Sequence, residues 1–316
     1  MSTTMQAIRL HDFGGPEVMQ LEAVARPVAG PGEVLVKVRA ASVNPVDWKL
    51  RAGYLKAFLP YQPPLTPGLD LAGTVEAVGP DVTGFAVGDE VFGKADFMKP
   101  NGSYAQYVAV AQSALAPKPR TLDFIHAAAV PVVATSAWQA LFGAGAIELK
   151  PGQTVLIHAG AGGVGSFAIQ LAKWKGATVI ATASAGNQAL LLELGADQAI
   201  DYTAAPFETV VGQVDAVVDT IGGDTQARSW GLLKPGGVLA SLMGAPAAAS
   251  FEGLGVRGVG VSGGQANAQL GLIGELIDQG VLKTVVSKVL PLAQAAQAHV
   301  LSQSGHARGK IVLEVE

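Results

Sequence analysis

From Met5 to about Val110 the chain alternates apolar and polar positions in short runs separated by Gly and Pro. Glu33-Val-Leu-Val-Lys-Val-Arg39, Gly73-Thr-Val-Glu-Ala-Val-Gly79 and Glu90-Val-Phe-Gly93 carry the pattern most clearly. A period of two predicts half-buried strands, and the Gly and Pro between them mark turns. This stretch therefore predicts a compact, mainly antiparallel β domain. Pro117 and Pro119 end it. Beyond Thr121, Ala- and Leu-rich helical segments alternate with short aliphatic runs at Thr154 to His158, Thr178 to Thr182, Ala216 to Asp219, Val238 to Leu242 and Val256 to Val261. Strand and helix in alternation predict βαβ units, hence a parallel sheet covered on both faces. The final segment predicts a helix near Gln265 to Gln279 and strands at Thr284 to Val289 and Lys310 to Val315, and these are expected to close back onto the first domain.

Composition narrows the class. Apolar types make up 49% of the 316 residues and charged types 15%, so the chain has the material for two packed cores and is not disordered. A formal charge of -4 and a pI near 5.8 argue against a broad basic surface for nucleic acid. With Cys 0, disulfides, thiolate nucleophiles and sulfur-ligated zinc are excluded. His11, His126, His158, His299 and His306 are scattered without metal-ligand spacing, so no metal is expected. Met1 to Arg9 lacks a basic segment followed by an apolar core, which makes a cytoplasmic location the expectation. The charge-free stretch His126 to Ile147 is mostly Ala, Val and Gly around Pro131, so no membrane span is expected.

The strongest chemical signal follows the first aliphatic run of the second region. Thr154 to His158 leads into Gly160-Ala-Gly162-Gly163-Val164-Gly165 and then into a helical apolar face at Ser166 to Lys173. That is GxGxxG between a strand and a helix, the context a dinucleotide-binding loop requires. Gly160 permits the tight turn, Gly162 lets backbone approach a pyrophosphate, and Gly165 lets helix and strand pack closely. The end of the next strand decides which dinucleotide, because a carboxylate there binds the ribose 2′-hydroxyl. Ala183-Ser184 stands in that place, which favours NADP(H). No Lys or Arg occurs between Gly176 and Ala227, so NAD(H) stays open. Ser184, Asn187 and Tyr202 are candidates to hydrogen-bond a 2′-phosphate, with Lys175 reaching it from the preceding loop.

Further stretches resemble the medium-chain dehydrogenase/reductase superfamily, in its zinc-independent quinone oxidoreductase-like branch. They are Asn44-Pro-Val-Asp-Trp-Lys49, Pro67-Gly-Leu-Asp-Leu-Ala-Gly73, Gly88-Asp-Glu-Val-Phe92, Gly102-Ser-Tyr-Ala-Gln-Tyr107, the loop at Gly160, Leu194-Gly-Ala-Asp197 and Gly309-Lys310. The resemblance covers nearly the whole chain. It implies an α/β protein: a GroES-like, mainly β substrate domain over 1–125, completed by 264–316, and a Rossmann dinucleotide-binding domain over 126–263, with the nicotinamide in the cleft. Zinc-dependent relatives have Gly-His-Glu where Gly68-Leu-Asp70 stands, and Cys residues this chain lacks. Relatives also carry Arg or Lys near Gly186, a departure that bears on the cofactor.

Without a metal, a hydride reductase positions its partners and stabilises developing negative charge with neutral donors. The expected acceptors are quinones or α,β-unsaturated carbonyls. Asn44 and Tyr54 are the candidate oxyanion donors, Asp47 a candidate to orient Asn44 or Lys49, and Trp48 a candidate wall of the substrate slot. Against these stand plainer roles: an Asn-Pro turn for Asn44, a core edge for Tyr54, a loop-bonding carboxylate for Asp47. By the resemblance, Thr135 lies near the nicotinamide carboxamide, although a helical Thr also bonds its own backbone. Gly222, Gly223, Gly244, Ser262 and Gly263 follow parallel strands, where ligands collect in such sheets, or are ordinary turn residues. Lys310 is left undecided between a cofactor and a structural role. The run near Val256 to Val261 predicts an exposed edge strand able to pair in a homodimer. A nucleotide-binding redox sensor or structural protein with little catalysis is the alternative to the enzyme.

Overall fold

The computed structural model describes residues 3–261 and 268–316. Those residues form two compact units, one within Met1–Val132, Gln265–Asp278 and Thr284–Glu316, the other within Val133–Gly264 and Gln279–Lys283.

The first unit is built on strands. A hairpin of β1 (Thr4–Leu10) and β2 (Met19–Ala25) pairs antiparallel from Thr4 and Ala25 to Leu10 and Met19. The main sheet uses β3 (Glu33–Val43), β4 (Asp70–Val78), β5 (Glu90–Lys94), β6 (Tyr107–Ala111) and β7 (Leu115–Pro117), joined late in the chain by β14 (Val286–Pro291) and β15 (Lys310–Glu314). Its order is β14-β15-β3-β4-β5-β7, with β6 also on β3. Every pairing is antiparallel except β14 with β15, as the alternating pattern predicts. Helices α1 (Pro45–Arg51), α2 (Phe124–Ala128), α7 (Ala268–Asp278) and α8 (Ala295–Gln303) belong to this unit, and α3 (Pro131–Phe142) starts in it.

Its core gathers Val34, Val36, Val38, Leu71, Val75, Val91, Val108 and Leu313 with Ala295 and Ala298 of α8. Burying an aliphatic side chain contributes about 1.5–3 kcal/mol, so this cluster fixes the register of the sheet. Register shifts at Leu35/Val36 and Val38/Ala40 carry β3 past Arg39, where simple alternation ends, to Val43. That extension sets Ser42 opposite Asp70 and Val43 opposite Ile311, which brings β15 and its first residue, Lys310, beside the end of β3.

The second unit is a parallel sheet of β8 (Thr154–Ile157), β9 (Thr178–Ala183), β10 (Gln198–Asp201), β11 (Val214–Asp219), β12 (Leu233–Ser241) and β13 (Arg257–Gly260). The order β10-β9-β8-β11-β12-β13 is that of a Rossmann fold, reversing direction between β8 and β11. Val155, Leu156, Ile157, Val217 and Leu239 are fully buried, as strands covered on both faces require. Helices α4 (Gly163–Trp174), α5 (Gln188–Glu193) and α6 (Gly223–Ser229) connect successive strands. The strand expected from Val238 begins five residues earlier, because Leu233 pairs with Val214 before a register shift absorbs the Gly-Gly turn. Among the described residues no helix is long and apolar enough to cross a membrane.

Candidate active site

Parallel strands deliver their loops to one end of the sheet, and the first of these is the glycine loop. The chain leaves β8 at Ile157 and enters α4 at Gly163, so Gly163, Val164 and Gly165 form the first helical turn. First-turn N–H groups have no intrahelical partner, and Gly162 at the cap brings no side chain to satisfy them. With the helix dipole behind them they suit a diphosphate. The backbone is folded tightly to make this cradle. Ala159 is held at φ 49, and a Cβ on Gly165 would lie 2.2 Å from the Ala159 carbonyl oxygen. One on Gly160 would lie 2.4 Å from Leu191. The loop therefore fits the pyrophosphate of a dinucleotide.

Ser184 follows β9, and the pairing of Asp201 with Ala183 brings Tyr202 alongside it. The Tyr202 N–H donates to the Ala183 carbonyl at 3.3 Å, and Asn187 Nδ2 donates to Ser184 Oγ at 3.2 Å. Ser184 and Asn187 are thus joined through their side chains, and Tyr202, 53% exposed, is brought alongside by its backbone. Lys175 does not join them, which corrects the expectation that it reaches a 2′-phosphate. It caps the carboxyl end of α4 before β9 begins, while Ser184 lies beyond the far end of that strand, about 20 Å away for six extended residues. Its ammonium instead sits 5.9 Å from the Phe142 ring.

On the other side of the glycine loop, Asp219 at the end of β11 is fully buried. Its Oδ1 accepts from the N–H groups of Ile221 and Gly222, and its Oδ2 from Gln226 Nε2 and Ser241 Oγ, all at 2.8–3.0 Å. The Met243 N–H donates to Ser241 Oγ, so one carboxylate sets both the loop of Gly222 and the loop of Gly244. This residue was missed in the sequence, where a strand-end Asp before Thr-Ile-Gly-Gly was the available signal. His158 is buried and holds α6 to the sheet through Ser229 Oγ at 2.9 Å. Thr135 lies buried on α3. Ser262 and Gly263 lie outside the described residues.

The first unit carries a second polar cluster. Asn44 precedes α1 and is 1% exposed. Its Nδ2 donates to Asp70 Oδ2 at 2.8 Å and its Oδ1 accepts from Lys310 Nζ at 2.6 Å. Ser42 Oγ donates to Asp70 Oδ2, and the Val132 N–H to Asp70 Oδ1. Asp47, one turn into α1, accepts from the Asn44 N–H at 2.8 Å and from the Tyr104 hydroxyl at 3.2 Å, and Tyr104 in turn contacts His299 Nε2. Asn44 and Asp47 are thus committed to the interior. Of the sequence candidates in this stretch, Trp48 is half-buried and Tyr54 is exposed. Their rings meet edge on at 6.3 Å, and Tyr54 is 68% exposed.

Burial pushes the Asp47 carboxyl up to about 7, against the opposing N–H bond from Asn44. Such a group favours folding below its unfolded value of 3.8, and that contribution disappears as pH rises through about 7. Buried His158 and His299, depressed by desolvation to about 4 and about 3, act with the opposite sign. Their contribution is present above 6.5 and lost as pH falls through those values. Asp47→Asn, which keeps an acceptor oxygen, is therefore expected to raise the melting temperature relative to the wild type at pH 8 and to leave it nearly unchanged at pH 5. Thermal scans at the two pH values check this; equal shifts at both would contradict it.

Zinc does not fit this cluster. Leu69 supplies no ligand, the chain has no cysteine, and both Asp70 oxygens are taken by internal donors. Among the described residues no three His, Cys, Asp or Glu side chains gather around a common point.

Comparison with known proteins agrees with both halves of this description. Residues 30–120 match the alcohol dehydrogenase GroES-like domain family, and residues 194–313 the family described as zinc-binding dehydrogenase. The chain is 38% identical to 2-methylene-furan-3-one reductase of Solanum lycopersicum over 98% of its own length and 79% of the relative's. It is 37% identical, over the same shares, to the chloroplastic NADPH-dependent alkenal/one oxidoreductase of Arabidopsis thaliana. The solved structure of the quinone oxidoreductase from Coxiella burnetii superposes with a TM-score of 0.90 at 37% identity, covering 99% of this chain and 100% of that one.

Proposed function

The chain belongs to the medium-chain dehydrogenase/reductase superfamily, in its zinc-independent quinone oxidoreductase-like branch, and from that premise we propose that it reduces quinones or α,β-unsaturated carbonyls with NADPH. The observation that carries the proposal is the glycine cradle on α4, a diphosphate site in a Rossmann sheet, in a chain whose other polar cluster has no place for zinc. A bound nicotinamide supplies a hydride. The residues of this chain do the rest.

Gly163, Val164 and Gly165 offer N–H groups to the pyrophosphate, Gly162 keeps a side chain out of its way, and Gly160 lets the loop pack against Leu191 and Ala181. Gly222 and Gly244 complete the dinucleotide site in this reading, and Thr135 orients the carboxamide. Trp48 forms an aromatic wall for a flat acceptor. The Tyr54 hydroxyl donates a hydrogen bond to the acceptor oxygen, where negative charge builds as the hydride arrives. Asn44 and Asp47 act from behind by setting α1. Purified protein mixed with NADPH is expected to consume it only when a small quinone or a simple enone is added; consumption of neither acceptor would count against the proposal.

Preference for NADPH over NADH rests on Ser184, Asn187 and Tyr202 as hydrogen-bonding partners and on the missing carboxylate after β9. A cation is absent there, and Gly186 has open space where a side chain would start. Gly186→Arg is expected to tighten NADPH binding by about tenfold, the worth of one charge-assisted contact of about 1.4 kcal/mol, with NADH binding unchanged. Parallel titrations read it, and an equal gain for NADH would contradict it.

We also propose a homodimer. β13 is the outer strand of its sheet among the described residues, paired only with β12, which leaves an edge open to a second copy. Light scattering is expected to give twice the chain mass of 32.1 kDa, and a single-chain mass would reject it.

A further inference from the structure

Lys310 is separated by 240 residues from its ion-pair partner Asp70, and both are buried, at 4% and 0% exposure. Gly309 delivers it: at φ 63 the chain passes so close to Val285 that a Cβ would lie 2.1 Å from the Val285 carbonyl oxygen. The Lys310 N–H bonds to that oxygen, and the side chain turns inward. All three ammonium hydrogens are then placed, on Val43 O at 2.8 Å, Asn44 Oδ1 at 2.6 Å and Asp70 Oδ2 at 3.3 Å. The Asn44 amide consequently has its oxygen against a cation and its nitrogen against a carboxylate. The flipped amide would place like polarity against like at both ends, so the pair of charges selects one orientation.

A buried ion pair of this kind seldom adds stability over a well-packed apolar pair, because desolvating both charges offsets their attraction. What it does supply here is geometry. Asn44 is the cap of α1, and its N–H is bonded to Asp47 within the helix. Seven residues later the helix ends, and the Tyr54 N–H is bonded back to the Lys49 carbonyl. The cap and Tyr54 thus belong to one short rigid piece.

We propose that Lys310 is a positioning residue of the acceptor site: by clamping the Asn44 amide between itself and Asp70, it sets α1 and with it Trp48 and Tyr54. The inference rests on the reading that Trp48 and Tyr54 meet the acceptor. Lys310 does not touch the acceptor itself.

Three variants separate positioning from plain charge compensation: Lys310→Met, Asp70→Asn and the two together. Lys310→Met is expected to lower the melting temperature, since it strands the Asp70 carboxylate, and to reduce kcat/KM for an enone at least tenfold with NADPH affinity within twofold of wild type. In the double variant the stranded charge is gone, so the melting temperature recovers most of its loss while kcat/KM stays at least tenfold down. Recovery of kcat/KM together with the melting temperature would overturn the proposal, as would a fully active Lys310→Met. A readout independent of turnover is the fluorine NMR signal of Tyr54 in protein labelled with fluorotyrosine, assigned among the five tyrosines by Tyr54→Phe. It is expected to shift in the single Lys310 variant and in the double variant, and an unmoved signal in both would overturn the clamp. Should the wild type reduce no acceptor, the proposed function fails, and the Tyr54 signal still decides whether Lys310 sets α1.

Discussion

Gly165→Ala is expected to weaken dinucleotide binding by at least 100-fold. The added methyl carbon would sit 2.2 Å from the Ala159 carbonyl oxygen, 2.8 Å from Gly160 Cα and 2.9 Å from the Ala159 carbonyl carbon. All three atoms are backbone, so no side chain can swing away to make room. Either α4 retreats from the loop or the loop opens, and in both cases the first-turn N–H groups leave the pyrophosphate. A 100-fold loss corresponds to about 2.7 kcal/mol, roughly two charge-assisted hydrogen bonds. Two other glycines grade the effect. At Gly162 the nearest atom to a new Cβ is 3.2 Å away, so Gly162→Ala leaves the loop in place and is expected to weaken binding less than Gly165→Ala, by crowding the pyrophosphate alone, and at Gly186 nothing lies within 4 Å, so Gly186→Ala should be silent. Calorimetric titration with NADPH orders the three variants, and equal affinities for Gly165→Ala and Gly186→Ala would contradict the cradle.

Asp219→Ala is expected to be the most destabilising single change in the second unit. It would strand two backbone N–H groups, an amide and a hydroxyl that now converge on one buried carboxylate. Unsatisfied buried donors cost about 1–3 kcal/mol each, and with partial relaxation the total is about 4 kcal/mol. At about 2–4 °C per kcal/mol for domains of 150–250 residues, the melting temperature should fall by roughly 8–16 °C. Asp219→Asn keeps one acceptor oxygen and should lose less than half as much. Because the loops of Gly222 and Gly244 both hang on this residue, dinucleotide affinity should fall along with stability. Differential scanning calorimetry with and without NADPH reads both effects, and an Asp219→Ala protein as stable as wild type would refute the assignment.

The parts of this molecule that were legible in the sequence are those whose signal is local. A period of two gave the strands of the first unit, and Gly160 to Gly165 between a strand and a helix marked the cradle because the chemistry and the motif share six adjacent residues. The Asp70–Lys310 pair was not legible, since its members meet only through the register of β3 with β4 and β15. Asn44 is a candidate donor in the sequence because an amide donates well, with an Asn-Pro turn as its plainer role; the fold surrounds it with partners supplied by two remote strands. The error over Lys175 has a different origin: Lys175 precedes β9 and Ser184 follows it, so six extended residues, about 20 Å, already separated the two in the sequence. Tyr54 is exposed, as a Gly-Tyr turn after a short helix allows.

The most direct test of the account is isotopic. Protein incubated with a simple enone and NADPH carrying deuterium at the transferable position of the nicotinamide is expected to yield the saturated ketone with that deuterium on the former β-carbon, and with the α-hydrogen drawn from solvent. Binding of NADPH with neither transfer of deuterium to the enone nor NADPH-dependent reduction of a quinone tried beside it would contradict the claim that this chain is a hydride-transferring reductase of such acceptors.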